Sequence, residues 1–264
     1  MGLTSYHVHT PRCGHATGEP FEYVEEALEL GFTEIGFADH APIPLPRREG
    51  ITMEPGETED YISDLQAVKE KYQGKIAVKI GFEVDYPLEV TFPRRYFMDS
   101  RLDFLIGSCH FLGSWPFDHG DYMDEFEKRD MNEVYYRYYS IIHSMVESRL
   151  FQVIGHLDLM KKFGYRPQNE PVDLLERIAR RAGELGISVE MNTAGMIKPV
   201  EEIYPSDSIL QILYNHNVPV TLSSDAHAPE QVGQYFDLAV NKLKKTGYKK
   251  ISGFHKRKRY DIPL

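Results

Sequence analysis

Seven short apolar or β-branched runs recur along the chain, and a stretch of helical period follows nearly every one. The runs cover residues 5–8, 34–38, 76–82, 104–108, 152–155, 188–191 and 218–222. The helical stretches cover 20–30, 58–72, a short piece at 93–100, 132–148, 172–185, 206–215 and 231–245. Repetition of strand then helix requires parallel strands with helices packed outside them. Seven such units fit a closed or nearly closed α/β barrel, whose working face is the C-terminal end of the strands. An open doubly wound sheet is the alternative. No glycine-rich phosphate loop follows the first run, which weakens its nucleotide-binding version.

Local punctuation supports these boundaries. Pro20, Ser206 and Pro229-Glu230 open helices, and Gly31, Gly74, Gly186 and Gly247 close them. A chain of 264 residues is long enough for one well-buried barrel, so residues 1–264 are expected to form a single domain. No apolar run is long enough to span a bilayer, and the N-terminus lacks a signal-peptide pattern. A cytoplasmic location with no membrane partner is expected. The formal charge of −10 argues against a nucleic-acid surface. The exception is a basic tail of Lys249, Lys250, Lys256, Arg257, Lys258 and Arg259, which reads as a solvated run. The two cysteines, Cys13 and Cys109, are too few for a disulfide framework and read as small buried residues.

The chemistry is carried by the positions of histidines and carboxylates. The first run ends in His7-Val8-His9, with both rings on one face of the strand, and His15 follows in the same loop. Later runs end at Asp39-His40, Glu83, Cys109-His110, Gly155-His156 and Asp225-Ala226-His227. A barrel gathers those ends around one axis. Nine residues are therefore candidate metal ligands: His7, His9, His15, His40, Glu83, His110, His156, Asp225 and His227. One zinc-like ion needs three or four protein ligands, so this set suits three ions with a shared carboxylate. Mixed imidazole and carboxylate donors point to zinc, manganese or iron. Asp39 is expected behind the ligands, orienting them.

These residues resemble the PHP family of polymerase-associated domains and histidinol phosphatases. The resemblance rests on His7-Val-His9-Thr, His15, Phe37-Ala-Asp39-His40, Gly81-Phe-Glu83, Gly107-Ser-Cys-His110, Gly155-His156 and Ser224-Asp225-Ala-His227. Glu190-Met-Asn192-Thr-Ala-Gly195, Tyr204-Pro-Ser and the Asp225-to-Gly233 stretch are similar to its stand-alone histidinol-phosphate phosphatases. The resemblance implies a distorted (β/α)7 barrel with three divalent transition metals. It implies one ion on His7, His9, Glu83 and Asp225, a second on Glu83, His110 and His156, and a third on His15, His40 and His227. One departure stands out. After Gly195 those phosphatases carry an Arg-Lys pair, and here the residues are Ile197-Lys198.

The activity expected is hydrolysis of L-histidinol phosphate to L-histidinol and phosphate by a metal-activated hydroxide. Glu83, Asp225 and His227 are the residues expected to serve catalysis. Lys161, Lys198, Arg47, Trp115 and Asn192 are the candidates for substrate contact, with Lys162, Arg166 and Phe117 beside them. Asp118 and Asp121 are candidate partners for the substrate amine. A phosphoesterase for another monoester, nucleotide or nucleic-acid end is the alternative, and a non-catalytic metal-binding domain is a third reading.

Overall fold

The structure is a computed structural model that describes residues 2–43, 50–87 and 94–264. In chain order the strands are β1 (Thr4–Val8), β2 (Glu34–Phe37), β3 (Ala77–Ile80), β4 (Glu83–Asp85) and β5 (Ile106–Ser108). They continue with β6 (Phe111–Leu112), β7 (Trp115–Pro116), β8 (Val153–Ile154), β9 (Ser188–Asn192), β10 (Val220–Ser223), β11 (Lys250–His255) and β12 (Lys258–Pro263). The α-helices are α1 (Pro20–Glu29), α2 (Thr58–Lys71), α3 (Asp124–Glu127), α4 (Met131–Ser148), α5 (Val172–Leu185), α6 (Asp207–Asn215) and α7 (Phe236–Thr246).

Two parallel sheets carry the fold, one ordered β1-β2-β3 and the other β10-β9-β8-β5-β4. Isolated parallel bridges join them, His40 to Glu83 on one side and Val8 to Ala226 on the other. At the second junction the His9 N–H donates to the Ala226 carbonyl at 2.9 Å. The result is a distorted (β/α)7 barrel, with β3 and β4 sharing one strand position and single bridges in place of two ladders. The break between β3 and β4 falls at Gly81-Phe82. A Cβ on Gly81 would stand 2.8 Å from the Phe104 carbonyl, so a side chain there would push the strands apart.

The helices bury one stripe each. In α5 the stripe is Leu174, Leu175, Ile178, Ala179 and Ala182, at the spacing of a face turned to the sheet. Gly186 (φ 67°) closes that helix in the left-handed region. The last helix begins later than its periodicity predicts. Pro229–Gln231 is a separate 3-10 turn, and Gly233 and Tyr235 are both left-handed, so α7 starts only at Phe236. The expected helix at 93–100 is, where described, the 3-10 turn Arg94–Met98. Among the described residues no helix is long and apolar enough to cross a membrane.

The basic tail is a β-hairpin, β11 and β12, packed at the N-terminal end of the strands. Ser252 Oγ lies 2.9 Å from Ser188 Oγ at the start of β9, and the Phe254 ring meets Tyr6 edge-on at 5.1 Å. Arg257 departs from the expected solvated run. Its guanidinium is half-buried and donates to the carbonyls of Phe97 and Leu150 at 3.0 and 2.8 Å. The other five basic residues of the run are exposed.

Candidate metal centre and its cavity

The strand ends converge as the sequence predicts. Among the described residues, side-chain donors within 4.8 Å of one another form the groups His7–His9–Asp225, Glu83–His110–His156, His15–His40–His227 and His9–His40–Glu83. Glu83 lies between them. Its Oε1 is 3.0 Å from His156 Nε2 and 3.4 Å from His110 Nε2. Its Oε2 is 3.2 Å from His7 Nε2 and 2.9 Å from His40 Nδ1. One carboxylate thus presents an oxygen to each side, which is the geometry of a shared ligand. Asp225 reaches His9 Nε2 at 3.1 Å from a left-handed backbone (φ 50°), a conformation that Asp tolerates better than most residues.

Groups behind these donors aim them. His7 Nδ1–H donates to Glu190 Oε2 at 2.9 Å, and His110 Nδ1–H donates to Asp85 Oδ1 at 2.9 Å. His15 and His227 donate Nδ1–H to the backbone carbonyls of Cys13 and Asp225 at 3.0 and 2.9 Å. In the neutral form of each of these rings the lone pair then lies on Nε2, as metal-ligating histidines require. Asp39 accepts from the Thr10 N–H and hydroxyl, with its Oδ1 3.6 Å from His9 Nδ1. Glu190 and Asp85 were not singled out for this role from sequence. Their signal was faint: Glu190 opens a motif on its strand, and Asp85 follows Glu83 by two residues on the same face of its strand.

The electrostatics fit cations. Burial pushes the carboxyl of Glu83 up, but the rings of His7, His40 and His110 outweigh it and hold it well below its ordinary value. Asp225 is likewise held low by His7 and His9 against its burial. Burial pulls His227 down to about 4 and keeps His9 low as well, so both rings are neutral and able to ligate. Burial lifts Asp39 to about 7. Several buried donor atoms lack any hydrogen-bond partner: His7 Nε2, both nitrogens of His9, Glu83 Oε2, His156 Nδ1 and His227 Nε2. Unpaired buried polar atoms are costly, and metal ions would satisfy those that face the centre. The residues present fit divalent ions.

A cavity of about 340 Å³ opens above the donors. Lys162, Lys198, Asp118, Tyr204 and the glutamines Gln231 and Gln234 form part of its wall. Lys162 Nζ donates to the Asp118 carbonyl at 2.6 Å and lies 3.5 Å from its carboxylate. Burial and the charge of Lys162 lower the pKa of Lys198. Ile197 is half-exposed on the same rim.

Several expected substrate contacts do not line this cavity. Lys161 is fully buried away from this cavity, with Nζ enclosed by Asp158, Glu202 and the Ile203 carbonyl at 2.9, 3.0 and 2.8 Å. Trp115 is buried by the β6–β7 hairpin, packed on Phe126 at 4.8 Å with the Arg129 guanidinium 4.5 Å over its ring. Phe117 is buried beside it. Asn192 turns to the carboxylates, donating to Glu190 and to Asp225 Oδ2 at 2.9 and 3.2 Å. Arg166 pairs with Glu202 at 2.8 Å. Asp121 stands exposed, 3.8 Å from His119. Arg47 lies outside the described residues.

The PHP domain model matches residues 5–194. A protein of Deinococcus radiodurans named as a probable histidinol-phosphatase is 37% identical over 97% of this chain and 98% of its own length. The histidinol-phosphatase of Bacillus subtilis is 29% identical over 88% of this chain and 96% of its own. A crystal structure of histidinol phosphate phosphatase from Lactococcus lactis, complexed with zinc, L-histidinol and phosphate, superposes with a TM-score of 0.82. That match is 21% identical and covers 98% of both chains. With the donors gathered at the strand ends and a family match across most of its length, the chain belongs to the PHP domain family.

Proposed function

We propose that the protein is a cytoplasmic histidinol-phosphatase, a single PHP-type domain that hydrolyses L-histidinol phosphate to L-histidinol and phosphate in histidine biosynthesis. The observation that carries this reading is the cavity itself. Its floor is the histidine and carboxylate cluster, and its wall sets the cations Lys162 and Lys198 beside the anion Asp118. A phosphate dianion joined to a cationic amine matches that pattern. The full-length likeness to proteins named histidinol-phosphatase supports the same substrate.

The reading places three ions of zinc, manganese or iron on the chain. His7, His9 and Asp225 would hold one, His110 and His156 a second, and His15, His40 and His227 the third. Glu83 would be shared by the first two. Bound divalent ions acidify water to give a nucleophile near neutral pH and offset phosphate charge. The chain's own part is positioning. Lys162 and Lys198 hold the phosphate oxygens, and their charge favours the transition state as negative charge shifts there. The Asp118 carboxylate takes the substrate's amine, which supplies binding energy remote from the reacting bond. Glu190, Asp85 and Asp39 hold the ligand rings in register.

A phosphoesterase for another monoester is the second reading, and Ile197 in place of an arginine is the observation that favours it. The deciding experiment compares kcat/KM of the metal-loaded protein for histidinol phosphate, p-nitrophenyl phosphate, nucleotides and a single-stranded oligonucleotide. Histidinol phosphate is expected to be best by at least about tenfold, roughly 1.4 kcal/mol of transition-state binding. A smaller margin sinks the histidinol-phosphatase reading and leaves the broader one.

A further inference from the structure

One more donor set lies among the same rings. Sγ of Cys13 and ring nitrogens of His9 and His227 fall within 4.8 Å of one another. Cys13 and His9 are fully buried, and His9 has no hydrogen-bond partner on either nitrogen. Cys13 ends the 3-10 turn Pro11–Cys13, which Gly14 closes at φ 84°. Thiolate with two imidazoles is a soft donor set, unlike the imidazole and carboxylate groups beside it.

We propose that Cys13, His9 and His227 form an inhibitory site for a thiophilic divalent ion, of which cadmium is the clearest case. Binding displaces the thiol proton to solvent and forms the bond from sulfur to the metal. A neutral imidazole has one free lone pair, so each ring serves one ion. His9 engaged here is withdrawn from the His7–His9–Asp225 group, and His227 from the His15–His40–His227 group. The soft ion therefore competes with the proposed catalytic ions for two of their ligands. The inhibitory consequence rests on the phosphatase reading, whereas the binding itself does not.

The test adds cadmium to the purified, metal-loaded protein and follows the near-ultraviolet charge-transfer band of a cadmium thiolate. The band is expected in the wild type and in Cys109→Ala and is expected to vanish in Cys13→Ser. The cadmium concentration giving half inhibition, scaled to each protein's own rate, is expected to rise about tenfold in Cys13→Ser. No band in the wild type, or a band that persists in Cys13→Ser, overturns the site. Equal sensitivity of the two proteins overturns the inhibition. The chain has only two cysteines, so if Cys13→Ser does not fold, Cys109→Ala decides. A retained band supports Cys13, and a lost band overturns it. The band needs no substrate, so failure of this site and failure of the phosphatase reading are read separately.

Discussion

Glu190 Oε2 lies 2.9 Å from His7 Nδ1, with both side chains fully buried. The same carboxylate accepts the His156 N–H, the Asn192 amide and the Ser223 hydroxyl. It therefore ties two ligand-bearing strands to the strand between them and sets the His7 tautomer. Glu190→Gln keeps the shape but loses the charge that holds His7 as an Nδ1–H donor. The expected loss is about 10–100-fold in metal affinity or kcat, with KM changing little. Metal titration by calorimetry alongside steady-state kinetics checks it, and wild-type values for both would reduce Glu190 to a packing residue.

Glu83 presents one oxygen to each side of the centre, so its removal is expected to affect more than one ion. Glu83→Gln should lose bound metal together with rate. Elemental analysis of gently purified wild type should find roughly three transition-metal ions per chain, and the variant clearly fewer. Cys109→Ala is the contrast. Its thiol donates to the Phe111 carbonyl at 3.5 Å and belongs to none of the donor groups. That variant should cost about 1 kcal/mol of stability through a small cavity while keeping its metal. Metal loss from it would make Cys109 part of the centre.

Asp118 faces the cavity beside Lys162. If it binds the substrate amine, Asp118→Asn should raise KM for histidinol phosphate by about tenfold or more, the worth of a charge-assisted hydrogen bond. The effect on p-nitrophenyl phosphate, which has no amine, should be much smaller. An equal rise for both substrates would place Asp118 in support of Lys162 instead.

Lys198 has a pKa below that of an ordinary lysine, through burial first and Lys162 second. The ammonium form binds phosphate, and that form is lost as pH rises through the lowered pKa. KM should therefore climb on the alkaline side at a lower pH than a normal lysine allows. Lys198→Arg, which stays charged, should move that limb to higher pH with a smaller change in kcat. A pH profile of KM for wild type and variant measures it, and superimposable profiles would remove Lys198 from phosphate binding.

Much of the centre was legible in the chain because its cues are local. His7-Val8-His9 share a face through the two-residue period of a strand, and each later donor follows a recognisable apolar run. The third strand was harder to read. Residues 76–82 scan as one continuous run, yet at Gly81-Phe82 the pairing passes from one sheet to the other: the Gly81 N–H donates to the Phe37 carbonyl, the Phe82 carbonyl accepts from the Ile106 N–H, and the close approach of Phe104 there is made by a distant segment. The tail hairpin was missed for a similar reason. Its charges suggest solvent, while its apolar residues Ile251 and Phe254 become meaningful only against Tyr6 and the strand starts.

The sequence by itself determined the repeat of strand and helix and the donor type waiting at each strand end, since both follow from periodicity along a few residues. Only the tertiary structure decided which neighbours of those donors face the cavity. Lys161 and Lys162 are adjacent and chemically alike, yet one is buried against Asp158 and Glu202 and the other lines the cavity beside Asp118. Trp115 looked like a substrate contact, and a two-strand hairpin turned it into core against Phe126. Glu190 looked like one residue of a motif, and its place between His7 and His156 made it a support of the centre. The physical reason is the same in each case. Side-chain direction at these positions is set by partners far along the chain, whose charge and volume no local pattern contains.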